Sequence, residues 1–465
     1  MPLDLSLAEL AGYIDETPER LREWHDRGLI GTPDRPDRFT HVDVERARLV
    51  RLFLRRGIDL DVVARSMREG VIRAQLGRYL DILFPGDGWP AQSIEQAAAA
   101  AGLDVALARR VVAAAVHGRE IDAPSLGSDD IEALRAAAMA VKAGFPADAL
   151  VEMLRVLADA LARAAEAVVR LFHFHVHKPL EASGASEAEI EALSTAAGER
   201  MNPLLEPAIL YFHRKGMARA MADDMVLHLL AEAGLAGEAE APGQVVAAAA
   251  FVDLASFTPL SAAMGDVKAA EVLERVAAIV HSAAERWQGR VVKQLGDGFM
   301  LLLGDPRSAV ACLLEIEERT AAEPQFSAVR SGVHWGPMLY RDGDYVGTTV
   351  NVASRVAGIA GRHEVLLTET VWRAATPLDG VEFIRLGARD LKGLAEEHQL
   401  FEARRLRDGR VAKAIDPVCG MELGPGEAAA RLAIEGGERF FCSEGCLRRF
   451  VAAPERYAAR GTGGR

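Results

Sequence analysis

The run VVAAAAFV at 245–252 constrains this chain more than any other segment. Eight consecutive apolar residues closed by Asp253 have the length and composition of a strand buried on both faces, with a carboxylate at its end. Further on, VV (291–292), LGDG (295–298) and FMLLL (299–303) read as strand, tight turn and strand, with Asp297 in the turn. Side by side, the two strand ends would bring the Asp253 and Asp297 carboxylates together. Alone, a GDG is most simply a turn, since Asp and Gly both mark turns. Two further segments change that reading. VVKQLGDGFML (291–301) also carries Lys293, and DYVGTTVNVASR (344–355) carries Asp344, Asn351 and Arg355.

Together these six residues offer two carboxylates for divalent metal, a cation and a carboxylate for reading a base, and an amide and a guanidinium for sugar and phosphate. Residues 245–403 resemble the catalytic domain of class III adenylyl/guanylyl cyclases. DLASFT is similar to that family's Asp-Ile/Leu-x-Gly-Phe-Thr segment, KQLGDG to its Lys-x-x-Gly-Asp, and DYVGTTVNVASR to its Asp-x-x-Gly-x-x-Val-Asn-x-Ala-Ser-Arg; LKGL (391–394) resembles its late Leu-Lys-Gly segment. The resemblance implies an α+β, ferredoxin-like βαββαβ domain. It implies that Asp253 and Asp297 bind two Mg²⁺ or Mn²⁺ ions, that Lys293 and Asp344 contact the purine, and that Asn351 orients the ribose. Arg355 would stabilise charge on the transferring phosphate. The Lys/Asp pair is the adenine-reading version, Lys donating to a ring nitrogen and Asp accepting from the exocyclic amine, so the implied substrate is ATP. Guanine would present a carbonyl to Asp344, and a buried polar mismatch costs about 1–3 kcal/mol. In the family the site forms between two domains. With one such domain per chain, the expectation is a homodimer with two equivalent sites. One departure is visible: the family's Gly before Phe-Thr is Ser256 here, which bears on triphosphate affinity.

A chain of 465 residues suggests two to four domains. Its net charge of −13 makes nucleic acid an improbable partner. No run reaches the ~18 apolar residues of a membrane span and no secretory leader opens the chain, so the expected location is the cytoplasm. The four cysteines, three of them late in the chain, are a local site and not a disulfide framework.

Residues 5–70 and 92–157 repeat at an offset of 87, with Ser6 falling on Ser93, Asp43 on Asp130, Glu45 on Glu132 and Gly57 on Gly144. Ser6 with Glu9 and Ser93 with Gln96 have capping-box spacing. Each unit reads as helix, turn, helix, loop and a longer helix ended by glycine. The first copy resembles a MerR-type winged helix-turn-helix: LREWHDRGLI, the wing-like TPDRPDRFTH and a helix ending RRGIDLDVV. It would serve either DNA binding or protein interaction. Residues 1–70 hold 12 Lys and Arg against 14 Asp and Glu, which favours interaction. Residues 146–232 read as long helices. The N-terminal half as a whole resembles the helical regulatory domain of acid-responsive bacterial adenylyl cyclases. His173, His175 and His177 are therefore regulatory candidates, as a pH sensor, a metal site or simply a polar helix terminus.

Near the C-terminus, DPVCGM, RFFCSEGCLRRF and APERY place Cys419, Cys442 and Cys446 in one short stretch. Cys442 and Cys446 have the spacing of one helical turn. The stretch resembles the YHS/TRASH family of small metal-associated modules. Soft thiolates favour Zn²⁺ or Cu⁺; Asp416, Met421 or water would complete the set, and redox thiols or structural cysteines are the other readings. Cys312 reads as core.

The expected architecture is multidomain: an all-α N-terminal regulatory half (a MerR-like repeat at 1–72, then the second repeat and helical region at 90–232), a linker at 233–244, the catalytic domain at 245–405, and a Cys-rich module at 413–460. The expected function is adenylate cyclase. The alternatives are a guanylate cyclase, or a metal- or pH-responsive DNA-binding regulator with a vestigial cyclase domain.

Overall fold

The computed structural model describes residues 4–457 apart from 33–34, 36, 70–75, 78, 81–91, 116–125, 234–242, 324–325, 395, 407–412, 425–426 and 435–436. Most of the linker and part of the wing-like stretch therefore lie outside the described residues. The chain forms two compact units, Met1–Ala218 and Arg219–Arg465.

The first unit is helical, and its two halves repeat residue by residue. The first half holds helices Leu7–Ile14, Pro18–Asp26, His41–Arg55 and Leu60–Arg68; the second holds Ile94–Ala101, Val105–Ala115, Ser128–Lys142 and Ala147–Phe172. Ser6/Glu9 and Ser93/Gln96 both close as reciprocal capping boxes. An isolated bridge joins Leu5 to Phe39, and its counterpart joins Gln92 to Leu126. The buried residues correspond as well. Leu10, Leu21, Trp24, Phe39 and Val44 fill one core, and Ala97, Ala108, Val111, Leu126 and Ile131 take the same places in the other. Gly57 and Gly144 take left-handed φ values of 80° and 96°, which glycine adopts without steric cost, and each turns the chain into a further helix. After Phe172 the helix loosens into a π turn, His173–His177, then resumes as Lys178–Ala182. The last helix, Glu187–Glu232, runs 46 residues with Pro203 and Pro207 inside it, and its residues from Arg219 onward belong to the second unit.

The second unit is built on a mixed sheet. Its strands are β1 (Gln244–Leu254), β2 (Arg290–Leu295), β3 (Gly298–Leu303), β4 (Val329–Arg341), β5 (Asp344–Val346), β6 (Val365–Thr368), β7 (Val381–Arg389) and β8 (His398–Arg405). The order is β2-β3-β1-β4-β6-β8-β7, with β5 paired to β4. The stretch β4-β1-β3-β2 is the antiparallel core expected of a βαββαβ domain, and β6, β8 and β7 extend it. The apolar run is the middle of this core. Ala248, Ala250 and Val252 pack into one face, while Ala247 and Ala249 pack into the other. Short side chains there let helices approach both faces closely. The closest approach is at Gly332 on β4, where a Cβ would lie 2.1 Å from the Ala357 backbone nitrogen. This glycine seats the helix Thr348–Ile359 against the sheet.

The C-terminal module has two small hairpins, β9 (Ala414–Ile415) with β10 (Glu422–Leu423) and β11 (Ala430–Ile434) with β12 (Gly437–Phe441), then the helix Glu444–Ala452. Val418, Met421, Leu423, Phe441 and Phe450 are buried in the same apolar cluster as the β1 side chains. No described helix is long and apolar enough to cross a membrane.

Candidate active site and thiolate cluster

Asp253 stands one residue from the end of β1, opposite Gly298 on β3 and Arg330 on β4. Gly298 keeps the space beside it open, since a Cβ there would sit 3.2 Å from Asp253 Oδ1. Arg330 grips the other oxygen, its Nε donating to Oδ2 at 2.8 Å. Asp297 occupies the turn between β2 and β3, as the GDG spacing implied. Burial and the negative charge of Asp253 both raise its pKa. The two carboxylates are thus near enough for the charge of one to bear on the other, with Arg330 opposing that effect.

Lys293 and Asp344 form an ion pair between β2 and β5. A bulge between Val291 and Lys293 shifts the register of β2 at the lysine, and bulges re-aim side chains in this way. The Asp344 Oδ1 also accepts from the Tyr345 backbone N–H at 2.8 Å. Asn351 and Arg355 lie four positions apart on the helix Thr348–Ile359, one turn along the same face. Both are exposed, and among the described residues neither side chain has a hydrogen-bond or ion partner. Arg290 links the end of the 46-residue helix to this region, reaching Asp223 at 3.4 Å and the Tyr345 hydroxyl.

Ser256, where the family pattern has glycine, carries φ +74°. A left-handed conformation without glycine costs about 1–2 kcal/mol. It is held by contacts that the sequence did not announce. Arg362 donates to Ser256 Oγ at 3.3 Å, to the Gly420 carbonyl at 2.8 Å and to Glu422 Oε1 at 3.2 Å. His363 stands between Glu422, 2.7 Å from its Nε2, and Glu317, 3.2 Å from its Nδ1. Burial opposes a charge on His363, but the two carboxylates outweigh it and push its pKa up to about 9. His334 on β4 is the reverse case, with burial and then His398 holding its pKa down to about 4.

The three late cysteines come together as thiols without a disulfide. Cys419 Sγ lies 3.5 Å from Cys442 Sγ, which lies 3.7 Å from Cys446 Sγ. Sulfurs about 2.3 Å from a tetrahedral ion stand about 3.7 Å apart, so the spacing fits a metal ion. With Asp416 they are the group among the described residues whose ligand atoms converge this way, all within 4.8 Å. Asp416 also organises the cluster: Oδ1 accepts from Val418 N at 2.8 Å and Oδ2 from Cys442 N at 2.7 Å. The Cys419 and Cys442 thiols draw the Cys446 pKa down, which favours negative charge on that sulfur. One detail differs from the expectation. Cys442 precedes the helix Glu444–Ala452 instead of lying on it, because Ser443 caps that helix by accepting from Cys446 N. Cys312 is buried core, its pKa pushed up to about 12 by burial and then Glu315.

The histidines do not converge in the same sense. The His173 and His177 rings lie tilted at 30° to each other with centroids 5.4 Å apart, and His177 reaches Ser194 at 3.3 Å and Glu181 at 3.1 Å. His175, two positions from each, is exposed.

Four family models match along the chain: the MerR HTH family regulatory protein at residues 5–70, the adenylate cyclase regulatory domain at 40–221, the adenylate and guanylate cyclase catalytic domain at 244–402, and the YHS domain at 414–460. A pH-sensitive adenylate cyclase of Mycobacterium tuberculosis is 32% identical over 374 residues, covering 78% of this chain and 88% of that protein. The chain belongs to the adenylate cyclase family. An adenylate cyclase of Streptomyces coelicolor is 30% identical over 273 residues, 58% of this chain and 68% of that one. Among solved structures, the adenylyl cyclase CyaB from P. aeruginosa aligns at 21% identity and a TM-score of 0.31, covering 36% of this chain and 96% of that one.

Proposed function

We propose that the chain converts ATP to 3′,5′-cyclic AMP and pyrophosphate at two equivalent sites formed between two copies of itself. The observation that carries the reading is the Lys293–Asp344 pair on the sheet that also holds Asp253 and Asp297. A lysine donor and a carboxylate acceptor side by side match the ring nitrogen and exocyclic amine of adenine, and each neutralises the other until a base arrives. Asp253 and Asp297 would hold two Mg²⁺ or Mn²⁺ ions. Bound there, such ions lower the pKa of the attacking hydroxyl and stabilise the leaving pyrophosphate. Arg330 keeps Asp253 oriented, and Gly298 leaves its second oxygen accessible. Asn351 orients the ribose, and Arg355 meets charge that grows in the transition state. The unpartnered, exposed position of both on one helix face supports their use by a second copy.

The domain limits we assign are 1–72, 90–232, 245–405 and 413–460, with the first two regulatory. We assign a pH response to the N-terminal half. His334 and His363, with pKa values near 4 and 9, keep their charge between about pH 5 and 8. His173, His175 and His177 are the proposed sensing groups. The Asp223–Arg290–Tyr345 connection, adjacent to Asp344, is a route by which the long helix bears on the site. Cys419, Cys442 and Cys446, with Asp416, would hold Zn²⁺ or Cu⁺.

Mixing two inactive chains tests the shared site. In an equal mixture of Asp297→Ala and Arg355→Ala, random pairing gives one intact site in half the dimers, so about a quarter of the sites return. Activity no higher than that of either variant alone would place all six groups within one chain. Measured with ATP and GTP, the same assay separates adenylate from guanylate cyclase.

A further inference from the structure

The C-terminal module is packed against the loop that follows Asp253. Gly420, one residue past Cys419, faces Ser256 so closely that a Cβ on it would meet Ser256 Cβ at 2.6 Å. Its φ of +76° is of the kind glycine accommodates. Arg362 bonds both partners at once, at 3.3 Å to Ser256 Oγ and 2.8 Å to the Gly420 carbonyl. Glu422 N donates to the Phe326 carbonyl at 3.1 Å, and the Glu422 carboxylate takes both Arg362 and His363. Arg449 reaches the Ala263 carbonyl at the far end of the helix Phe257–Met264. The module thus grips the segment after Asp253 at both ends. On the other side of Gly420, the turn from Asp416 to Gly420 is organised by Asp416, whose carboxylate also holds the backbone of Cys442. An unbroken set of contacts runs from the sulfurs through Gly420 to Ser256, three residues from Asp253.

We propose that the C-terminal module is a positioning element of the nucleotide site: a soft metal ion at Cys419, Cys442 and Cys446 fixes the 416–420 turn, and through Gly420 and Arg362 that turn holds Ser256 and the loop facing the triphosphate. The proposal rests on the cyclase reading for the identity of the ligand. It accounts for the serine at position 256. Where glycine would take the left-handed conformation unaided, a serine gives Arg362 an oxygen to hold, so the loop is ordered by the module beside it. Metal occupancy at the sulfurs should therefore appear as nucleotide affinity, without any contact between that ion and the substrate.

The experiment uses the full chain, zinc-loaded or metal-stripped under reducing conditions. Affinity for Mg²⁺ with 2′,3′-dideoxy-ATP, which lacks the attacking hydroxyl, is measured by calorimetry, and zinc content by mass spectrometry. One zinc per chain is expected, with nucleotide affinity at least about five-fold tighter when zinc is bound, the low end of coupling between sites. Gly420→Ala keeps every sulfur, so it should retain zinc yet bind nucleotide as the stripped chain does. Ser256→Gly should retain zinc and lose the zinc dependence. Failure to bind zinc, or equal affinity with and without it, overturns the proposal. Cyclic AMP formation with zinc-independent affinity would remove the coupling and leave the cyclase reading. Zinc-dependent affinity without cyclic AMP formation would do the reverse.

Discussion

Gly332→Ala puts the geometry of the site to a direct test. The added methyl would lie 2.1 Å from Ala357 N and 2.6 Å from Ala357 Cα, against 3.4–4 Å for ordinary contact. Both atoms belong to helix backbone, so no side chain can swing aside. The helix Thr348–Ile359 must move outward by more than about 1 Å, and it carries Asn351 and Arg355 with it. Overpacking of this kind costs about 1–3 kcal/mol of stability, which a unit of this size tolerates. A displacement near 1 Å of a group acting on the transition state costs on the order of 100-fold in rate. Lys293 and Asp344 stay on their strands, so KM for ATP should change less than kcat. Steady-state kinetics on protein whose thermal melt remains cooperative is the assay. A kcat within about three-fold of wild type would refute the claim that Gly332 sets the position of Asn351 and Arg355.

Arg355→Ala should lower kcat by about 100- to 1,000-fold with little change in KM, because its partner charge develops in the transition state; an equal effect on substrate binding would argue otherwise. Asp297 has a raised pKa, so protons compete with metal there; the Mg²⁺ concentration giving half-maximal rate should rise as pH falls, and a requirement that does not change with falling pH would contradict it. The charged His363 is favoured in the fold, with its pKa raised from 6.5 to about 9. Its contribution is complete below about pH 6.5 and lost as pH rises through about 9, at most about 3.5 kcal/mol at ~1.4 kcal/mol per pKa unit. Denaturant unfolding at pH 6.5 and 9 should show this loss in wild type and not in His363→Ala; equal losses would place it elsewhere.

What the sequence disclosed and what it withheld divide along physical lines. The buried β1 strand, the Asp297 turn and the capped repeats were legible because each is written in residues close together: an apolar run, a Gly-Asp-Gly turn, a serine three positions before its partner. The equivalence of Trp24 with Val111 in the two repeat cores follows from the same 87-residue offset. The clamp on Ser256 was not legible, since Arg362 lies 106 positions away and Glu422 is 59 positions beyond His363. Arg330 was missed for a similar reason, being 77 positions from Asp253 and identifiable only from the β1–β4 register. Ser256 was visible as a departure from the family pattern, but its left-handed conformation and the contacts that sustain it depend on the C-terminal module. The cysteine cluster was readable from spacing, whereas the tie from Asp416 to Cys442 was not.

The most direct test of the account is product formation by the full chain, supplied with ATP or GTP and Mn²⁺ and analysed by chromatography for cyclic nucleotides. The account predicts cyclic AMP and pyrophosphate in equal amounts from ATP, little cyclic GMP, and loss of product in Asp297→Ala. Absence of product from both nucleotides, or cyclic GMP as the main product, would contradict it.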